Sequence, residues 1–538
     1  MSTPTASTRA LGAVSGLVAA TAGVLAAHGT AALLPGVTPP VTAVGNRAID
    51  WTPQPVKDWA IETFGAADKA VLVGGVLLTV ALLAGATGLI GVRRRGTALA
   101  LLAGLVVLAS AAMFTDRAST AGPVGQGLTA TVLAVVGLGG LWWLLDAVGT
   151  GRPAVPVGGL RSRAGAATTR TRVLRSDDTD LEATSDFDRR RFLQAAGALA
   201  AVGAAGGVVV ETGGAAAVAS RDALRLPAPA VPAVPVPDGV SFELPGLTPH
   251  LTSNADFYRV DTALTVPDVP LEGYRLRIHG LVDHPLELTF SDLLDRRLVE
   301  RRITLTCVSN PVGGDLVDNA TWIGVPMREL LAEAGVQQHA DAVKSTSADG
   351  FTAGTPLEAL TDDREALVAI GMNGEPLPLE HGFPVRMVTP GLYGYVSATK
   401  WLVDLKVTRF ADFSAYWTSR GYAERAPIKL SSRIDVPGSF ERLDSGRRVV
   451  AGVAWAQPHG IDAVEVRVDG GDWQQAELAE EDSTVTWRPW RWDWPAEPGT
   501  HRLEVRATDR TGETQTSQRV PVAPDGSTGW HSVTVTVT

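Results

Sequence analysis

One cysteine and nine histidines are present among 538 residues, and that scarcity removes several chemistries at once. A lone thiol cannot form an intramolecular disulfide, a thiolate zinc cluster, an iron–sulfur site or a CxxCH haem attachment. Of the histidines, only His28 falls within a long apolar segment. A membrane haem b takes two axial histidines, so no haem and no iron–sulfur cluster are expected. Positive charge is also short. The net charge of −10 argues against a nucleic-acid surface, which needs clustered Lys and Arg. Any redox chemistry must therefore use a cofactor held in some other way.

Long apolar runs are plentiful in the first part of the chain. Segments at 11–34, 70–92, 97–114, 124–148 and 192–219 approach or exceed the roughly 20 residues that span hydrocarbon. They predict an all-α transmembrane bundle in contact with membrane lipid: four helices in 1–148, a basic loop over 149–191, and a fifth helix over 192–219. Arg93, Arg94 and Arg95 follow the second run, and Arg152, Arg161, Arg163, Arg170, Arg172, Arg175 and Arg189–Arg191 precede the fifth. The positive-inside rule puts these ends in the cytoplasm. Everything after about Ser220 is then extracytoplasmic. The fifth run opens with Asp188-Arg189-Arg190-Arg191-Phe192-Leu193-Gln194, which resembles a twin-arginine export signal; a basic membrane anchor is the alternative. Over 220–240, "LRLPAPAVPAVPVPDG" has prolines too close for a helix and predicts an extended, semi-rigid spacer.

From 241 to 427 the pattern is mixed. "YRLRIHG" and the run 302–307 alternate as strands do, as do 385–388 and 401–407. "VPMRELLAEAGV" reads as a short helix with Pro326 at its start and Gly335 as terminator. The expected class is α+β. Cys307 ends one of these strands: Ile303 and Leu305 share its face, which favours a buried inert thiol. The Gly/Pro loop that follows, Ser309 to Gly314, would let backbone approach a ligand. Local pattern leaves both readings open. Beyond 428, "VVAGVAWA", "IDAVEVRVDGG", "TVTWRPWRWDW", "HRLEVRATDRTG", "SQRVPV" and "HSVTVTVT" predict an all-β immunoglobulin-like sandwich.

Several stretches in consistent order, "TSNADFYRVDTALTVPDVPLEGYRLRIHGLVDHPLELTF", "ITLTCVSN", "NATWIGVPMRELLAEAGV", "MNGEPLPLEHGFPVRMVTPGLYGYVSATKWL" and "YWTSRGY", resemble the molybdopterin domain of the sulfite oxidase family. The resemblance implies a molybdenum–molybdopterin cofactor with Cys307 as the protein's metal ligand; a soft thiolate suits a soft redox metal. It implies that His381, Arg386 and Lys400 hold the anionic pterin and that Asn254, Phe257 and Tyr258 wrap it. It further implies Arg259, Trp322 and Tyr422 at the substrate end, with Tyr422 and Arg259 in catalytic roles. The β-region resembles the family's dimerisation module, which implies a homodimer; a covering module is the alternative.

One departure matters. Sulfite-oxidising members place arginines directly after the C-x-x-N step, whereas this chain reads Cys307-Val308-Ser309-Asn310-Pro311-Val312. The implied activity is two-electron oxygen-atom transfer on a small oxo-substrate, with a separate electron-transfer partner. Reduction of S-oxides or N-oxides and a non-catalytic binding protein remain alternatives. A cysteine hydrolase pairing Cys307 with His381 would lack an orienting third residue.

Overall fold

The computed structural model describes residues 6–148 and 188–538, apart from 35, 54–55, 57–58, 60–62, 64–67, 120 and 214. The arginines expected in the basic loop at 152–175 lie outside the described residues. The chain forms two compact units, Met1–Gly213 and Gly214–Thr538.

Among the described residues of the first unit, five helices are long and apolar enough to cross a membrane: α1 (Ala6–Ala32), α3 (Asp68–Gly91), α4 (Arg95–Thr115), α5 (Pro123–Val148) and α6 (Arg189–Gly213). They make the chain a multi-pass membrane protein. An additional helix, α2 (Pro40–Trp51), lies between the first two long helices, with Pro40 opening its first turn where the missing N–H costs nothing. Small residues let the long helices touch at the backbone. A Cβ at Gly16 would stand 2.0 Å from the Ala84 carbonyl oxygen, and one at Gly206 would stand 2.3 Å from that of Leu25. Asp188 has a structural duty in the arginine-rich motif. Its carboxylate accepts from the Arg191 N–H at 3.0 Å, so it caps α6 as Ser or Thr would.

The second unit begins with a short helix, Ala215–Ala223, whose Arg221 donates to the Leu377 and Pro376 carbonyls at 3.0 and 3.2 Å. The proline-rich segment is extended, but it is no free spacer. Val231 bridges Val299 in parallel, and Arg302 donates to the Val234 carbonyl at 2.6 Å. It is pinned along the edge of the strand that leads to Cys307.

Two sheets then share one apolar core. The first runs in the order β2 (Leu286–Leu288), β1 (Leu276–Gly280), β10 (Leu402–Thr408), β5 (Ala342–Ser347), β6 (Thr352–Pro356). The second runs β3 (Val299–Thr306), β4 (Val317–Pro326), β7 (Leu367–Met372), β8 (Glu375–Pro376), with β9 (Arg386–Val388) also paired to β7. Ile278, Leu402 and Leu405 of the first sheet meet Ile303, Leu305, Val325 and Ile370 of the second. The expected helix is Met327–Ala334, with Pro326 as its N-cap. It buries Met327, Leu330, Leu331 and Ala334, one face at helical spacing, and ends on left-handed Gly335.

The C-terminal part adds two more sheets, ordered β11 (Ser431–Val436), β13 (Gly446–Trp455), β17 (Arg488–Ala496), β16 (Glu477–Leu478) and β12 (Arg442–Leu443), β19 (His531–Val537), β18 (Gly499–Asp509), β14 (Ile461–Val468), β15 (Gln474–Gln475). Val450 and Trp490 of one and Val466, Leu503 and Val535 of the other lie in a common core. "SQRVPV" forms no strand; Val520 makes only an isolated bridge to Thr528. Its two arms are separated by Pro521, which cannot donate to a ladder.

Candidate active site

Strand β3 delivers Cys307 to the wall of a partly open cavity of about 120 Å³. Ile303 and Leu305 turn into the apolar core, whereas the side chain of Thr304 faces the C-terminal region and accepts from the Trp487 N–H at 2.9 Å. Cys307 is the first residue past the strand; its N–H donates to the Leu316 carbonyl at 2.9 Å. Its sulfur is buried and accepts from the Ser309 N–H at 3.4 Å. Burial pushes the thiol pKa up, and the hydrogen bonds from Ser309 draw it part of the way back.

Cationic side chains converge on the same cavity. Arg386 is 5% exposed. Its Nη1 donates to the His381 carbonyl at 3.0 Å, and its guanidinium lies 4.8 Å from the Trp322 ring centroid. Among the described residues it makes no ion pair. A buried cation without a counter-charge is costly, and burial lowers its pKa to about 10. Lys400 donates to Asp261 Oδ2 at 2.8 Å and to the Glu380 carbonyl at 2.9 Å. Burial lowers it to about 8 against the opposing pull of Asp261. Arg259 also reaches Asp261 Oδ2, at 3.0 Å. Two cations thus share one buried carboxylate beside a third that has none.

His381 donates from Nε2 to the Asn254 carbonyl at 3.0 Å. Burial, then the nearby Arg386 charge, lowers its pKa to about 4, so the imidazole is neutral at neutral pH. An anion placed beside it would raise that value.

Opposite in character is a chain of aromatic rings on the cavity wall and behind it. Ring centroids run Tyr395 to Tyr422 at 5.6 Å, Tyr422 to Trp417 at 5.2 Å, Trp417 to Tyr416 at 5.2 Å and Tyr416 to Phe351 at 5.7 Å. All but Tyr416 line the cavity.

The structure brings Phe257, Tyr258, Cys307, His381, Arg386, Lys400 and Tyr422 together on this one cavity. Three expected residues do not line it. Trp322 is fully buried, with its Nε1 donating to the Ile303 carbonyl at 3.2 Å, and acts as a platform beneath Arg386 instead of a substrate wall. The Arg259 guanidinium is drawn to Asp261. Asn254 turns its side chain toward Asn373 and Glu375 and serves His381 through its backbone. Sequence reasoning missed Asp261, Asp349 and Phe351. The sign for the latter two was the "ADG" turn, whose Gly350 has φ +77° and which projects both residues from the β5–β6 hairpin.

The donor set bears on what the cavity can hold. Among the described residues no group of three or more His, Cys, Asp or Glu side chains gathers as an ion site. One thiol is too few ligands for a metal alone, so the fitting group brings its own donors. The unpaired Arg386 calls for that group to be anionic. A pterin-bound molybdenum with a phosphate tail meets both demands.

Comparison with known proteins points the same way. A family profile described as "Oxidoreductase molybdopterin binding domain" matches residues 263–417. The uncharacterized oxidoreductase YuiH of Bacillus subtilis is 36% identical over 162 residues, covering 29% of this chain and 78% of that protein. Human mitochondrial sulfite oxidase is 29% identical over 342 residues, which is 54% of this chain and 62% of that enzyme; the chain thus spans under two thirds of that relative's length. Among solved structures, the sulfane dehydrogenase SoxCD of Paracoccus pantotrophus aligns with TM-score 0.46 at 27% identity, over 50% of this chain and 76% of that one.

Proposed function

This chain belongs to the molybdopterin-binding oxidoreductase family, and from that premise we propose that it is a membrane-anchored oxidoreductase acting on a small oxo-substrate on the extracytoplasmic side. The observation that carries the reading is the meeting of the only thiol, Cys307, and the unpaired buried cation, Arg386, on one cavity. Arg386 and Lys400 would hold the anionic end of a molybdenum–pterin group. Phe257, Tyr258 and His381 would wall it, and Cys307 would ligate the metal. Ligation and loss of the thiol proton are coupled, because burial keeps the free thiol protonated. When bound, the group supplies two-electron oxygen-atom transfer.

The remaining cavity residues set what can approach. The aromatic side, Phe351, Tyr395, Trp417 and Tyr422, excludes water and offers π faces in place of fixed positive charge. The Tyr422 hydroxyl would orient an oxo oxygen there. With Pro311 and Val312 standing where an arginine would bind a dianion, this wall favours an organic S-oxide or N-oxide over sulfite. Electrons would arrive through a separate carrier.

Finer features follow the same reading. The arginine-rich start of α6 serves as a twin-arginine signal, which suits a domain exported with its cofactor in place. The regions 241–427 and 428–538 act as the cofactor domain and an immunoglobulin-like domain, the latter offering a homodimer surface.

The test is metal and pterin analysis of the full chain purified from a cofactor-producing host, followed by a panel of sulfite, dimethyl sulfoxide and trimethylamine N-oxide with a dye mediator. Molybdenum near one per chain with turnover of the organic oxides supports the reading. Absence of molybdenum contradicts it.

A further inference from the structure

The loop carrying Cys307 is held from outside its own domain. Strand β3 is gripped first: the Thr304 N–H donates to the Val485 carbonyl at 3.1 Å, and Gln457 Nε2 donates to the Thr304 carbonyl at 3.3 Å. The loop itself is then met by three side chains of the C-terminal region. Ser527 Oγ donates to the Asn310 carbonyl at 2.7 Å. Arg433 Nη1 donates to the Gly314 carbonyl at 2.8 Å.

The third is His531, whose ring lies against Gly313. A Cβ built on Gly313 would stand 2.1 Å from its Cδ2 and 2.3 Å from its Nε2. Gly313 also has φ +83°, so only glycine suits both the turn and the approach.

These contacts are themselves fixed. Arg433 is braced by Asp435 at 2.6 Å and by Thr248 Oγ1 at 2.8 Å. His531 Nδ1 accepts from the Ile434 N–H at 2.9 Å, which sets the ring's orientation. Within the loop, Asn310 Oδ1 accepts from the Leu316 N–H at 3.0 Å, and the Asn310 N–H donates to the Cys307 carbonyl at 3.1 Å. Asn310 is therefore one hydrogen bond from the Cys307 carbonyl and, through Leu316, two from the Cys307 N–H, while the Gly314 N–H closes the loop on the Pro311 carbonyl at 2.9 Å. An apolar cluster joining Val308, Tyr393 and Tyr395 to Val453, Trp455 and Trp487 backs the whole arrangement.

We propose that the C-terminal β-region sets the position of the Cys307 sulfur, with Ser527, Arg433 and His531 as its positioning residues. The region is then part of the site's construction and more than an appended module. The proposal rests on the reading of Cys307 as a metal ligand, yet its geometry can be tested apart from it. Cys307 is the only cysteine, so alkylation of the full chain reports on that one sulfur whether or not metal is bound.

The experiment compares wild type with Ser527→Ala, Ser527→Thr and Arg433→Ala, each as the full chain in detergent. It measures the iodoacetamide rate on protein from a cofactor-deficient host, and the thiolate-to-metal absorption band with kcat and KM on loaded protein. Ser527→Ala should quicken alkylation on the order of fivefold, the factor set by one lost hydrogen bond. It should also shift the band and lower kcat while KM holds, and Ser527→Thr should restore all of these. Arg433→Ala should move them in the same direction. Wild-type alkylation rate and band in both alanine variants would overturn the proposal, as would losses that only track the unfolded fraction. If loaded wild type carries no molybdenum, the functional reading fails, and the alkylation rates still decide the positioning claim.

Discussion

Arg386 stands 4.8 Å from the centroid of the Trp322 ring, so the indole expected at the substrate end lies under a buried cation instead. The guanidinium is 5% exposed and has no carboxylate partner among the described residues. The cation–π contact compensates only part of the desolvation.

Replacing Arg386 should therefore have two effects of opposite sign. Arg386→Met removes a charge-assisted contact and should weaken cofactor retention roughly 10- to 100-fold. The same change should raise the stability of the cofactor-free chain, because an uncompensated buried charge is gone. Molybdenum content and thermal unfolding of the two forms check the pair of effects. Arg386→Lys should also retain less metal, since an ammonium cannot stack flat on Trp322.

Stability should fall as pH drops through the histidine range. His381 and His531 are each lowered to about 4, mainly by burial. Between the unfolded value of about 6.5 and about 4, the unfolded chain binds more protons, so stability rises with pH across that window and is fully present above it. Asp318, raised to about 6 by burial, works in the opposite direction below that pH and offsets part of the loss. Thermal unfolding from pH 7 to 4 should show a falling Tm, and a His531→Asn variant should show a shallower fall.

The junction between the cofactor region and the C-terminal sheets should depend on Asp482. It pairs with Arg302 through Oδ1 at 2.6 Å and with His250 at 3.1 Å, and all three side chains are nearly enclosed. Burial alone would raise the Asp482 pKa, but His250 and Arg302 overcome it and hold it at about 2. Asp482→Ala strands the Arg302 charge and should cost about 3–5 kcal/mol. Denaturant unfolding of the full chain measures it.

The aromatic wall should govern KM for organic oxides. Trp417→Ala removes a ring packed against Tyr422 and Tyr416 and should raise KM for a methyl aryl sulfoxide about tenfold, given about 1.5 kcal/mol of lost contact. Metal content should be unchanged. Tyr422→Phe keeps the ring and should lower kcat with little change in KM. Steady-state kinetics with a dye mediator separate the two.

Much of this is legible in the amino-acid sequence. Five apolar runs foretold the five long helices, because about 20 consecutive apolar residues have few other fates. Cys307 at a strand end, and His381, Arg386 and Lys400 in one glycine-rich neighbourhood, do converge. What could not be read are pairings between distant residues. Asp261 serves Lys400 across 139 positions, and nothing in "FYRVDTAL" marks that carboxylate as a counter-ion. Arg259 was placed at the substrate end by the family resemblance alone, whereas in the structure its guanidinium pairs with Asp261, two residues on. The β3 alternation correctly divided Ile303 and Leu305 from Thr304. It could not show that the Thr304 side meets Val485 and Trp487, since that turn before β17 lies about 180 residues further on.

The central claim is that Cys307 binds molybdenum, and the most direct measurement is elemental analysis of purified wild type beside Cys307→Ser. The account predicts molybdenum near one per chain in wild type, with loss of the thiolate-to-metal absorption band in the variant. Wild type matured in a cofactor-producing host yet free of molybdenum, or a variant with the same metal content and the same band, would contradict it.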